Sequence, residues 1–323
     1  MKKLRGERVL KGIGKSHGKT IIMGEHAVVY GYPAIAVPLV SIPVIVKIKQ
    51  NPENILSSKY YVGKISQIPD TLSGVKYLIE LLDEHLNKDK INYAISIDSN
   101  LPIERGLGSS AAIAAALTRA FFDLFDQSLE TETLLEYVNK SETVTHGKAS
   151  GLDALTVISN EPVLYSKDTI EHFNFSSDGF IVIGDSGVKG KTKETVADVH
   201  KMYQTDKATI GAYLEQLGTC TSTTKKSLIN NKLRLLGQTF DQANATLTKL
   251  NLAIPKTDQL IAAAKNAGSL GGKITGGGRG GCIIALAKSL NNATMVQKAL
   301  IKNGAEQTWI QPLSIYAEET DVD

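Results

Sequence analysis

The chain has 323 residues, 42% of them hydrophobic and 21% charged, with a formal net charge of +3. That length suits two domains of about 150 residues each, and the composition excludes a disordered chain. So small a basic surplus argues against a nucleic-acid partner. Two cysteines, Cys220 and Cys282, cannot build a disulfide framework or a four-thiolate zinc site, which fits a reducing, cytoplasmic setting.

In chain order, the basic start (Lys2, Lys3, Arg5, Arg8, Lys11) leads into no apolar stretch of the kind that exports a protein, and is expected to be a solvated edge. Gly14-Lys15-Ser16 and Gly18-Lys19-Thr20 end like phosphate-binding P-loops. The glycine such a loop needs five positions earlier is Val9 in one case and Ile13 in the other, so neither qualifies. The apolar run Ala34 to Val46 is 13 residues long and holds Pro38, Ser41 and Pro43. It falls short of the roughly 20 residues that span a bilayer, so it is expected as buried strand or loop, and no membrane partner is expected. Val44, Val46 and Ile48 form a short strand-like set, and 71–87 reads as a helix with Val75, Leu78, Leu81 and Leu82 on one face. Ile91, Tyr93, Ile95 and Ile97 alternate with more polar residues, the period of a half-buried strand. The period then turns helical: Ile113, Ala116, Leu117, Ala120, Phe121 and Leu124 predict a helix over 109–125.

The second half reads as a separate α+β unit. A strand is expected at 181–183, helices near 193–216 and 229–250, a helix at 258–267, a strand at 281–287, a helix at 294–303 and a closing strand near 308–315. The boundary falls between 165 and 180, giving domains 1–175 and 176–323, with the last strand staying in the second or returning to the first. Eight of the 28 glycines lie between Gly268 and Gly281, a density that signals special backbone angles or close approach to a ligand.

Four segments carry chemistry. Pro102-Ile-Glu-Arg105-Gly106-Leu107-Gly108-Ser109-Ser110-Ala111-Ala112 joins an expected strand to an expected helix. Free N–H groups and the positive dipole end make such a helix start a phosphate site, or else a capped turn without a ligand. Ser109 and Ser110 can cap the helix or ligate magnesium through a hydroxyl. Lys273-Ile-Thr275-Gly276-Gly277-Gly278-Arg279-Gly280-Gly281-Cys282 is a second glycine-rich loop leading into a strand. Two such loops, one per domain, suggest a phosphate substrate held between the domains. In Glu142-Thr-Val-Thr-His-Gly-Lys-Ala-Ser150-Gly151-Leu-Asp153, two carboxylates flank a turn of small residues. Phosphoryl transfer needs one group to hold Mg²⁺ and another to orient or deprotonate the attacking hydroxyl, though Asp153 reads equally well as a turn aspartate. Last, Gly18-Lys19 to Gly31 places Glu25 and His26 directly after an apolar strand. No His/Cys cluster with zinc-ligand spacing is present.

Together these segments resemble the three sequence motifs and the catalytic-aspartate segment of the GHMP small-molecule kinases. The form Gly-Lys-x-Ile-x-x-Gly-Glu-His-Ala-Val-Val-Tyr-Gly at 18–31 is similar to the branch that phosphorylates mevalonate. Galactokinases differ after Gly-Glu-His, and phosphomevalonate kinases usually carry Gly-Glu-Tyr. The resemblance spans 18–282 and implies an α+β, two-domain fold. Its N-terminal α/β domain has a left-handed βαβ unit, its C-terminal domain is ferredoxin-like, and its active site lies in the interdomain cleft. It implies Asp153 as general base and Lys19 as the cation beside the attacking hydroxyl. Ser110 (or Ser109) and Glu142 become Mg²⁺ ligands. Pro102 and Arg105 to Ala112 cradle the ATP phosphates. Lys19, Glu25, His26, Gly151, Asp153, Thr275, Gly276 and Gly277 contact mevalonate. A homodimer is also implied. Glu104 stands where many members have glycine, and Ala149 replaces the common proline before Ser150-Gly151. The rivals are another GHMP kinase and an inactive member serving as a ligand sensor, the latter disfavoured because Lys19, Glu142 and Asp153 are all retained.

Overall fold

The computed structural model describes residues 10–147, 151–167 and 169–317. Lys2, Lys3, Arg5, Arg8, Ala149 and Ser150 lie outside the described residues. Backbone contacts sort the chain into two compact units that interleave in sequence. The first takes the chain as far as Gly18, then Ile42–Leu101 and Gly108–Ile158; the second takes Lys19–Ser41, Pro102–Leu107 and the chain from Ser159 on. A single cut at 175 does not describe them, because two long strands, β1 (Lys11–Met23) and β2 (Ala34–Gln50), each belong to both units.

In the first unit, β3 (Ile55–Ser57), β4 (Val62–Lys64), α1 (Ser73–Leu86) and β5 (Tyr93–Ser99) follow. β3 lies between β4 and β5, parallel to β5, and the intervening α1 completes a β–α–β crossover. β5 pairs antiparallel with Val44–Gln50 of β2. Pro38 and Pro43 fall outside the stretches of β2 that pair with β5 and β6, and the strand runs on through them. Then come α2 (Ser109–Leu124), α3 (Thr131–His146) and α4 (Leu152–Ile158), which pack on one another. α2 is buried on nearly every side, as its alanine-rich sequence allows. A Cβ on Gly14 of β1 would stand 1.8 Å from the Ala116 carbonyl of α2. The glycine that mimics a P-loop is therefore a packing residue.

In the second unit, Ala34–Ala36 of β2 pairs with β6 (Val163–Tyr165), which pairs with β7 (Ile170–His172). A four-stranded antiparallel sheet then forms from β8 (Phe180–Asp185), β9 (Gly271–Thr275), β10 (Cys282–Ala287) and β11 (Thr308–Pro312). Its order is β11-β8-β10-β9. Between β8 and β9 come α5 (Thr192–Thr205), α6 (Lys207–Ile229), α7 (Leu233–Lys249) and α8 (Pro255–Asn266), and α9 (Leu290–Lys302) joins β10 to β11. Two interlocked β–α–β halves in this order make the ferredoxin-like arrangement. β11 pairs with β8 and stays in this sheet. The single helix expected over 193–216 is two, broken where the Asp206 carboxylate accepts a hydrogen bond from Thr209 N–H (3.0 Å) and caps α6.

Candidate active site

The 102–108 loop delivers the chain into α2 through Gly106 (φ +82°) and Gly108 (φ +69°), the residue that precedes the helix. No side chain caps α2, so its first-turn amides keep the positive character that attracts anions. The two serines at the helix start are therefore not caps. Ser109 is buried and its hydroxyl has no hydrogen-bond partner among the described residues. Ser110 Oγ lies 3.2 Å from His146 Nε2, and that nitrogen is 3.8 Å from Glu142 Oε2. One half-exposed imidazole, at the C-terminal end of α3, thus meets both expected metal ligands. His146 was not among the expected site residues, although it lies four residues after Glu142, one helical turn along the same face. Asp153 sits in the first turn of α4, directly after Gly151 (φ +76°) and Leu152.

Two residues of the phosphate loop do other work. The Arg105 guanidinium donates to Asp185 Oδ1 (2.9 Å) and the Gly187 carbonyl (3.0 Å), and lies 3.6 Å from Glu306. It ties the loop to the end of β8. Glu104 takes a left-handed conformation (φ +59°) that favours glycine, and pairs with Lys189 at 2.6 Å.

The second cluster belongs wholly to the second unit. Lys19, 3% exposed, hydrogen-bonds through its backbone N–H to the Leu107 carbonyl (2.9 Å), so the first motif adjoins the phosphate loop. One residue on, Thr20 Oγ1 lies 3.0 Å from Thr275 Oγ1, which also donates to the Ile21 carbonyl (2.9 Å). His26 holds φ +61° and its Nε2–H donates to the Gly277 carbonyl (2.9 Å). Burial holds the His26 imidazole below its ordinary pKa, and the Arg279 cation pushes the same way. Glu25 is 1% exposed and its Oε1 pairs with the ammonium of Lys273, which is wholly buried. Burial raises the Glu25 carboxyl and lowers the Lys273 ammonium, each opposed by the other's charge. Lys273 was missed as a site residue because glycines surround it. Its signal was a lysine two places before Thr275, on the same face of a buried strand.

Comparison with known proteins fits this geometry. Residues 73–161 match the GHMP kinases N terminal domain and 224–306 the GHMP kinases C terminal. The mevalonate kinase of Pyrococcus furiosus is 33% identical over 300 residues, covering 86% of this chain and 90% of that protein. The crystal structure of mevalonate kinase from methicillin-resistant Staphylococcus aureus is 35% identical, with a TM-score of 0.78 over 94% of this chain and 99% of that one. The L. major mevalonate kinase in complex with R-mevalonate is 25% identical, with a TM-score of 0.82 over 94% and 96%. The chain belongs to the GHMP kinase family. Within it, the relatives place the chain on the mevalonate kinase branch.

Proposed function

We propose that the protein transfers the γ-phosphoryl group of ATP to the 5-hydroxyl of mevalonate, giving 5-phosphomevalonate for isoprenoid biosynthesis. The observation that carries this reading is the convergence of the first and third motifs. Thr20 meets Thr275, His26 meets Gly277, and Glu25 meets Lys273. Lys19 adjoins the phosphate loop at Leu107. The first and third motifs and residues 102–107 of the expected phosphate loop, far apart in sequence, are thus neighbours within one unit.

In this reading the uncapped start of α2, with Gly106 to Ala112, takes the ATP phosphates on backbone N–H groups; Pro102, which has no N–H to donate, only shapes the loop beside them. Arg105 contributes its backbone, since its guanidinium is spent on Asp185. Asp153 deprotonates or orients the 5-hydroxyl. The Lys19 ammonium stabilises the negative charge that develops as the phosphoryl group moves. Glu25, His26, Gly151, Thr275, Gly276 and Gly277 hold the mevalonate. Magnesium fits the residues present: the Ser110 hydroxyl and Glu142 carboxylate reach the same His146 nitrogen, so they converge. No set of three or more His, Cys, Asp or Glu side chains forms a metal cage among the described residues. That suits Mg²⁺, which is ordinarily bound by one or two protein ligands plus substrate phosphates. When bound, the ion neutralises phosphate charge.

Two further expectations belong to this reading. A homodimer is implied by the family resemblance. A cytoplasmic setting is supported by Cys220 and Cys282, both free and buried. Among the described residues, no helix is long and apolar enough to cross a membrane.

The test is a coupled ADP-release assay with mevalonate, phosphomevalonate, homoserine and galactose as acceptors. Turnover with mevalonate alone is the expected result. Preference for any other acceptor contradicts the proposal.

A further inference from the structure

Lys273 is a wholly buried cation that the mechanism above does not use. An ion pair removed from water seldom contributes net stability, because desolvating both charges offsets their attraction. The Glu25–Lys273 pair therefore calls for a reason beyond folding. One Glu25 oxygen, Oε1, takes the Lys273 ammonium; the other, Oε2, is buried and has no hydrogen-bond partner among the described residues. A buried carboxylate oxygen without a donor is costly, and a substrate hydroxyl would relieve that cost. Lys273 and Thr275 project from the same face of β9, and Thr275 is the residue that grips the first motif at Thr20 and Ile21. The strand thus fixes the ammonium against the first motif with little freedom to adjust.

We propose that Lys273 is a positioning residue: by pairing with Oε1 of Glu25, it holds that carboxylate as an anion whose Oε2 accepts a hydrogen bond from a hydroxyl of the acceptor substrate. This rests on the mevalonate reading and deepens it, since it names the group on the substrate that Glu25 recognises as a neutral donor. An anionic Oε2 would repel the substrate's carboxylate, so the pair also sets which end of the substrate faces it. The charged and titratable groups around Glu25 are Lys273 from β9 and Lys19 from β1, with Cys220 of α6 beside Lys273 and His26 adjacent in the chain. Burial already drives Glu25 toward its neutral form, and Lys273 is the largest influence opposing it.

The test uses Lys273→Met and the charge-free double variant Glu25→Gln/Lys273→Met in the full chain. Wild-type turnover of mevalonate is measured first, and its absence would overturn the functional reading itself. Lys273→Met should raise the KM for mevalonate about 10-fold or more at pH 7, the scale of one hydrogen bond to a charged group. The KM for ATP should stay within about twofold. Burial pushes the Glu25 carboxyl up, and without its partner it ionises only as the pH is raised, so the mevalonate KM should fall back with rising pH. In the double variant it should be raised equally at pH 7 and stay flat with pH. A merely structural lysine predicts otherwise: both KM values shift together, or the defect is the same at every pH, and either result overturns the proposal. So does an unchanged mevalonate KM. Should Lys273→Met fail to fold, the double variant is compared with Glu25→Gln alone. Equal mevalonate KM values in the two, with the ATP KM unchanged, support a lysine that acts through Glu25; a further rise in the double variant, or a shift in the ATP KM, overturns the proposal.

Discussion

The loops at 102–108 and 276–281 are both rich in glycine, and they use it in opposite ways. The first bends through Gly106 and Gly108 and opens onto an uncapped helix end, leaving N–H groups that a ligand can use. The second is packed against its own unit. A Cβ on Gly280 would lie 2.4 Å from the Lys189 carbonyl, and one on Gly277 would lie 2.2 Å from Thr192 Oγ1. Arg279 within it donates to the Asn251 carbonyl (2.9 Å) and pairs with Asp198. What this loop offers the site comes from its anchored neighbours, the Gly277 carbonyl on His26 and the Lys273 ammonium on Glu25. Glycine content alone says that backbone comes close to something; only packing says whether that something is ligand or protein.

The difference can be broken from either side. Changes around the first loop should cost turnover and metal response and leave stability alone. The largest effect is expected from Asp153→Asn, which should lower kcat about 10²–10⁴-fold at nearly unchanged ATP affinity. More than about half the wild-type kcat would remove Asp153 from the base role. Lys19→Met should lower kcat by about 10-fold or more, since its charge matters most in the transition state. Weakened ATP binding at normal kcat would instead make Lys19 a ground-state anchor. Glu142→Gln and Ser110→Ala should each move the Mg²⁺ titration midpoint upward, as poorer ligands for a hard cation. Ser109→Ala should leave that midpoint and the melting temperature nearly unchanged, because it removes a hydroxyl with no hydrogen-bond partner among the described residues.

A change at Gly280, where the second loop is packed on protein and which holds no substrate, should do the reverse. Gly280→Ala places a Cβ against the Lys189 carbonyl at φ +134°, and should cost about 1–3 kcal/mol in urea unfolding. A neutral outcome there would mean that the loop is slack. The smallest effect concerns His26, whose pKa burial depresses. A depressed folded-state pKa contributes stability above the ordinary value of about 6.5 that is lost as the pH falls through the folded value. Melting temperature should therefore drop on acidification below about pH 6.5, and His26→Gln should flatten that dependence.

Much of this was legible in the residues. The helical period over 109–125 and the alternation at 91–97 became α2 and β5 nearly to the residue, because one buried face dictates each pattern. The helix break at Asp206 was hidden, since apolar spacing continues across it and a single capping carboxylate ends the run. β9 was hidden by its glycines, and with it Lys273, whose importance depends on a partner 248 residues away. α3 has mean burial on one side only and a polar sequence, so its period was faint. With it His146 escaped notice, though the 102–112 and 142–153 segments that it joins to the site were both apparent.

The central claim is tested most directly by identifying the product. Purified protein, ATP, Mg²⁺ and mevalonate should yield one new phosphate monoester, its phosphorus resonance split into a triplet by the two protons on C5. A singlet, from phosphate on the tertiary C3 hydroxyl, or no new phosphorus signal with mevalonate present, would contradict the account.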